Sequence, residues 1–161
     1  MKQTDDDRNA VLANAVANGA DITGADFTGA NLTGANLNNG NFRGASFNNA
    51  NCVNADLRNI KAQGANFRRA NLRGASLRRA DCRGIAATDA DLKNAQLLDA
   101  DLRGTQLSGC NFRGATLVLA DLRGQDFTGT NENGVVRDSA KRLMQTEMDD
   151  DVGTLTIGNS P

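Results

Sequence analysis

The chain has 161 residues, enough for one domain with a buried core, and its formal net charge of −1 marks out neither a nucleic-acid binder nor an acidic mimic on totals alone. It holds no Trp, Tyr or His, one Pro, six Phe and 17 Gly. Such a core must be thin and built from small units, and catalysis through a histidine base is excluded.

The first ten residues are polar and carry Asp5, Asp6 and Asp7. No run there has the length of a signal peptide core or a membrane span, which leads us to expect a cytoplasmic protein with no membrane association. Residues 5–18 suit a capping helix within an N-terminal segment 1–19. Asp residues open it, Val11, Leu12, Ala15 and Val16 form a stripe, and Gly19 can end it.

From Ala20 to Gly134 the chain repeats every five residues in one register: alanine, a small polar residue, leucine or phenylalanine, then two polar positions. Ala70-Asn71-Leu72-Arg73-Gly74 and Ala100-Asp101-Leu102-Arg103-Gly104 are clean copies. Five fits neither the helical period nor strand alternation, so a continuous helix would spiral its apolar residues into water. A coil with four equal sides keeps every large residue inside, with coils of 20 residues stacking as parallel ladders. Residues 20 apart then form columns, and one reads Leu37, Leu57, Leu77, Leu97, Leu117. A second column holds Phe27, Phe47 and Phe67. Where the central residue shrinks, at Ala62 and Ala87, the alanine two places earlier has become Ile60 or Ile85. That exchange conserves volume only if both positions face one interior.

On these residues the chain resembles the pentapeptide repeat family over 20–134. The resemblance implies an all-β solenoid, the right-handed quadrilateral parallel β-helix, here of about 5.75 coils and roughly 28 Å long. Glycines such as Gly24, Gly44 and Gly64 end their units, where the chain turns. Arg69, Arg79 and Leu119 share that position, so a positive φ is not expected at every corner, and the resemblance implies two turn types. The ends of a solenoid need covers. Glu132 stands where Leu or Phe belongs and marks the end of the core. Residues 135–148 read as a second short α-helical cap with Val136, Ala140, Leu143 and Met144 on one face, and 149–161 as an acidic, flexible tail.

Chemistry is scarce in this pattern. Cys52, Cys82 and Cys110 fall on inward positions as core fillers, with Cys52 and Cys110 roughly 14 Å apart, too far for a disulfide. The carboxylates form no metal-like cluster, and neither metal nor cofactor nor enzymatic activity is expected. The basic run Lys61, Arg68, Arg69, Arg73, Arg78, Arg79 and Arg83 spreads over all four sides as a waist, a candidate partner-binding feature. No aromatics interleave with it, which disfavours nucleic acid. Asp81, Asp101 and Asp121 should form an acidic ladder beside a basic ladder of Arg83, Arg103 and Arg123. Outward Leu98, Val118 and Leu119 share one side, a candidate contact for the C-terminal helix (Val136, Leu143, Met144) or for a homodimer through residues 95–148. The functional expectation is a non-enzymatic module that binds an unidentified protein partner. The resemblance supplies the alternative, a DNA-mimicking protein that binds DNA gyrase. Charge disfavours it, because residues 20–134 hold 13 basic and 11 acidic residues.

Overall fold

The computed structural model describes residues 12–137, all of which lie in one four-sided solenoid. Every fifth residue from Val16 to Thr116 pairs in parallel with the residue 20 positions on, Val16 with Asn36 at one end and Thr116 with Val136 at the other. No longer strand forms, because two of every five residues are taken by a corner.

The unit Asn71–Ala75 shows why the motif has its composition. Asn71 N–H donates to the Ala50 carbonyl in the coil below (2.9 Å). Leu72 and Gly74 donate to the Asp91 and Lys93 carbonyls in the coil above (2.8 and 3.0 Å). Ala75 closes the corner by donating to the Leu72 carbonyl (3.0 Å). Only the Arg73 N–H lacks a backbone partner, and it donates to Asn71 Oδ1 (3.3 Å). Asp or Asn at the second position therefore satisfies the one donor that the ladder leaves over, which is an Asx turn. The same contact recurs at Asp21, Asn51, Asp91 and Asp121.

All corners are of one kind. Every fifth residue from Asn14 to Gly134 has φ between 55° and 73°, including Arg69 (55°), Arg79 (57°) and Leu119 (58°). With the preceding residue outside that region and, at nearly every corner, a bond from the fourth residue of the turn to the first, these are type II turns. The two turn types expected from Arg69, Arg79 and Leu119 are not found. The ladder fixes the corner geometry, and an L-residue is held in it against its own preference.

The inward positions form one apolar column from Ala30 to Leu122, nearly all of it under 5% exposed. Phe27, Phe47 and Phe67 stack with centroids 5.1 and 4.6 Å apart. Ile60, Ala62, Ile85 and Ala87 are all buried, as the exchange of large and small requires. The exchange is incomplete at Ala87, where a cavity of about 10 Å³ opens among Phe67, Cys82, Ile85, Ala87 and Leu107.

Both expected caps need correction where they can be seen. Residues 12–19 belong to the coil and not to a helix: Ala17 N–H donates to the Asn36 carbonyl (2.8 Å) and Val16 is 77% exposed. Pairing on a preformed coil satisfies this backbone, whereas so short a helix is marginal in water. Likewise Val135–Arg137 continue the fourth side, with Val136 N–H donating to the Ala115 carbonyl (2.9 Å). The remainder of both helices, Leu143 and Met144 included, and the tail 149–161 lie outside the described residues. The core ends on polar side chains. Glu132 and Arg137 occupy successive inward positions, pair at 2.7 Å, and Arg137 lies over the Phe127 ring at 5.1 Å.

Candidate functional site

The sides, numbered by units beginning at Ala20, Ala25, Ala30 and Ala35, differ in how they dispose of charge. An arginine in the fourth position of a unit sits two residues after the second position, on the same outward surface. Where that second residue is Asp, the guanidinium folds back onto it. Arg58 grips Asp56 through Nε (2.8 Å) and Nη2 (2.6 Å), and Arg83, Arg103 and Arg123 hold Asp81, Asp101 and Asp121 in the same two-pronged way. Hydrogen bonds from Arg58, and more weakly from Asn38, draw the Asp56 carboxyl down to about 2 against its burial. The partner arginines lower Asp81, Asp101 and Asp121 in the same direction. On the first side these forks stack into the two ladders expected from the sequence. They are stitched across coils by Arg83 to Asp101 and Arg103 to Asp121, each 3.6 Å. That side presents a closed zipper of charge.

Where the second residue is Asn or Ser, the arginine has no carboxylate beside it. The structure places the seven waist residues on four sides within little more than one coil, all exposed, and does not bring them together. Arg83 is consumed by its fork. Arg68 lies along the second side and donates to Gln106 two coils up (3.1 Å). Arg73 and Arg79 reach Asp91 and Asp99 only at 3.8 Å. Lys61, Arg69 and Arg78 make no ion pair among the described residues.

The waist reading missed two cations. On the third side, Arg73, Lys93 and Arg113 occupy the same position in three consecutive coils, roughly 4.8 Å apart along the axis. Beside them the second-position column reads Asn51, Asn71, Asp91, Asn111 and Asn131. Its single carboxylate, Asp91, is already used: it accepts from Asn111 Nδ2 (3.0 Å) and the Lys93 N–H (3.1 Å) and sits 3.8 Å from Arg73. Lys93 and Arg113 have no ion-pair partner among the described residues. The signal was present in the 20-residue spacing of 73, 93 and 113. A search for density along the chain selects a belt instead, because successive residues in sequence fall on successive sides.

The fourth side carries the apolar residues. Leu98 and Val118 are half-buried, Leu119 is 48% exposed, and Val136 joins them at 52%. Elsewhere the surface offers little for chemistry. Cys52, Cys82 and Cys110 are buried free thiols, and burial pushes each up to about 12. Cys110 Sγ and Thr105 Oγ1 donate to the Ala87 and Cys82 carbonyls (2.9 and 3.0 Å), so polar atoms in alanine positions are satisfied. An open depression of about 340 Å³ lies on the second side, lined by Thr88, Gln106, Leu107, Ser108 and Asp126 beside Gly104 and Gly124. Asp126 there is committed to Thr128. Among the described residues no cluster could hold a metal ion, and no helix is long and apolar enough to cross a membrane.

Comparison with protein families matches the chain to Pentapeptide repeats, in 8 copies over residues 8–34, 25–61, 65–104 and 105–131. No curated protein matches the chain. Among solved structures, a pentapeptide repeat protein of the Arabidopsis thaliana thylakoid lumen is 29% identical, with 69% of this chain and 70% of that one covered and a TM-score of 0.38. One from Nostoc PCC 7120 is 35% identical over 60% of this chain and 68% of that one, TM-score 0.36. The plasmid-mediated fluoroquinolone resistance protein QnrB1 is 17% identical over 81% of this chain and 92% of that one, TM-score 0.37.

Proposed function

The chain belongs to the pentapeptide repeat family, and from that premise we propose that it is a non-enzymatic protein–protein interaction module, a rigid rod whose sides present ordered polar columns to a partner. The observation that carries this reading is the division of its cations. Four arginines are forked onto neighbouring carboxylates, while Lys61, Arg69, Arg78, Lys93 and Arg113 have no such partner among the described residues. Unpaired cations on a stiff frame favour an acidic protein surface, since the rod loses little conformational entropy on binding. Comparing capture from native lysate by the full chain and by its R68E/R73E/R78E variant tests this. A partner retained by the first and lost by the second is expected, and equal capture by both would sink the waist as the contact.

We place the protein in the cytoplasm and read Leu98, Val118, Leu119 and Val136 as a homodimer contact near the C-terminal end. Light scattering at high protein concentration should give twice the chain mass, and Leu119→Asp should halve it; a monomer throughout would remove the dimer. The gyrase-binding alternative calls for dense negative charge along the rod. The first side is a neutral zipper and the third is basic, so the surface does not support it. Inhibition of gyrase supercoiling at micromolar protein would revive it.

A further inference from the structure

We propose that the third side is a docking surface for the chain's own acidic C-terminal segment, with Glu147, Asp149, Asp150 and Asp151 lying along Arg73, Lys93 and Arg113. Three observations converge on this occupant.

The first is the unbalanced charge of that side. Among the described residues, only this side stacks unforked cations at the same position in three consecutive coils. Its neighbouring column is asparagine apart from Asp91, which is already bonded to Asn111. The second is complementarity. Past Arg137 the chain continues for 24 residues, and within them four carboxylates fall in the five positions 147–151. The third is reach. The described chain ends on the fourth side, which adjoins the third, at the coil immediately above Arg113. Arg113 and Lys93 therefore lie roughly 5 and 10 Å below the exit level. Glu147 follows Arg137 by ten positions, which span about 15 Å as helix and about 33 Å extended, enough for either path. The other acidic cluster, Asp5–Asp7, is a worse occupant. The described chain begins at Leu12, and Lys93 stands four coils above Ala13, roughly 19 Å along the axis. The five residues from Asp7 to Leu12 extend to about 17 Å at most.

Docking of this kind would cover Arg73, a residue of the proposed partner-binding waist, so an acidic partner would compete with the chain's own segment. That consequence rests on the interaction-module reading; the docking itself does not. It can be tested with the full chain and no partner, because Lys93 is the ladder's one primary amine. Zero-length carbodiimide coupling joins a lysine only to a carboxylate in direct contact. Peptide mass spectrometry of the product at monomer mass should show Lys93 joined to residues 147–151. The yield should fall several-fold in R73S/R113S, which keeps Lys93, and again in about 0.5 M salt, where the screening length drops well below 10 Å. Circular dichroism checks that R73S/R113S is folded. Coupling of Lys93 to Asp91 alone, to Asp5–Asp7, or to a second copy would overturn the proposal, as would an unchanged yield in R73S/R113S. A failed crosslink with a successful waist-dependent capture leaves the partner reading standing, and the reverse result separates the two equally well.

Discussion

Gly40 sits in the buried first position of its unit, with ordinary backbone, because the Phe42 ring occupies the space a side chain would need. A Cβ built there would lie 2.7 Å from Phe42 Cζ and 3.1 Å from the Leu37 carbonyl oxygen. Gly40→Ala should therefore cost about 1–3 kcal/mol by overpacking, and Phe42→Leu in the same chain should recover part of it, a coupling that urea melts of the double-mutant cycle would show. Gly64 differs in kind: nothing lies within 4 Å, but φ is +67°. Gly64→Ala should cost about 1–2 kcal/mol, with no rescue by any neighbour. Titration supplies a second residue-scale expectation. Asp56 is held near 2 by Arg58, so the folded state binds its proton less readily than the unfolded chain. A depressed carboxyl contributes stability that is fully present above the ordinary value near 3.9 and is lost as pH falls through the folded value. Asp56→Asn should lower the urea midpoint at pH 7, and the gap to wild type should close between about pH 4 and 2. A gap that stays constant across that range would show that the fork contributes nothing to folding.

At the scale of the coil, the period of five was legible because the ladder leaves one N–H per unit without a backbone partner, and in most units an Asp or Asn in the second position accepts it, which is where the eye finds the motif. The columns and the Ile60/Ala62 and Ile85/Ala87 exchanges were legible for the same reason, since stacking makes 20-residue spacing physical. What stayed hidden was set by neighbours in the other direction. Arg69 and Leu119 carry no local signature of a left-handed φ, which the coils above and below impose on them. The pairing state of an arginine depends on the residue two before it: Asp101 closes Arg103, whereas Asn111 leaves Arg113 open. Composition along the chain shows neither. Packing within a coil also carries an expectation. The cavity beside Cys82 and Ala87, about 10 Å³, is lined by apolar side chains and is at the lower edge of what one water needs. Cys82→Val should hold or raise the stability, by up to about 1 kcal/mol, while Leu57→Ala in the well-filled column should lose about 2–5 kcal/mol. Calorimetry of the two variants separates them, and a Cys82→Val loss comparable to that of Leu57→Ala would show that the space is not free. The buried thiols should resist alkylation until the coil opens, so their labelling rate reports global unfolding.

For the whole rod, the recurring problem is termination, since each coil is a template for another. At the described C-terminal end the last two inward positions are Glu132 and Arg137 instead of Leu or Phe. Glu132 alone was readable in sequence as the end of the core; the partnership with Arg137 five residues on appears only once both are known to point inward. The pair closes the described column: the guanidinium covers Phe127 and faces the carboxylate at 2.7 Å, so a charged pair stands where another Leu or Phe would extend the apolar core. Replacing one member should destabilise more than replacing both, because a lone charge would be left over the aromatic ring. E132L/R137L should keep the fold and acquire a sticky end. Sedimentation velocity is expected to show species larger than wild type whose share grows with concentration, whereas E132L alone should lower the urea midpoint. If E132L/R137L sediments like wild type at every concentration, the ion pair is not what ends the stack. Termination would then lie with the residues that follow Arg137.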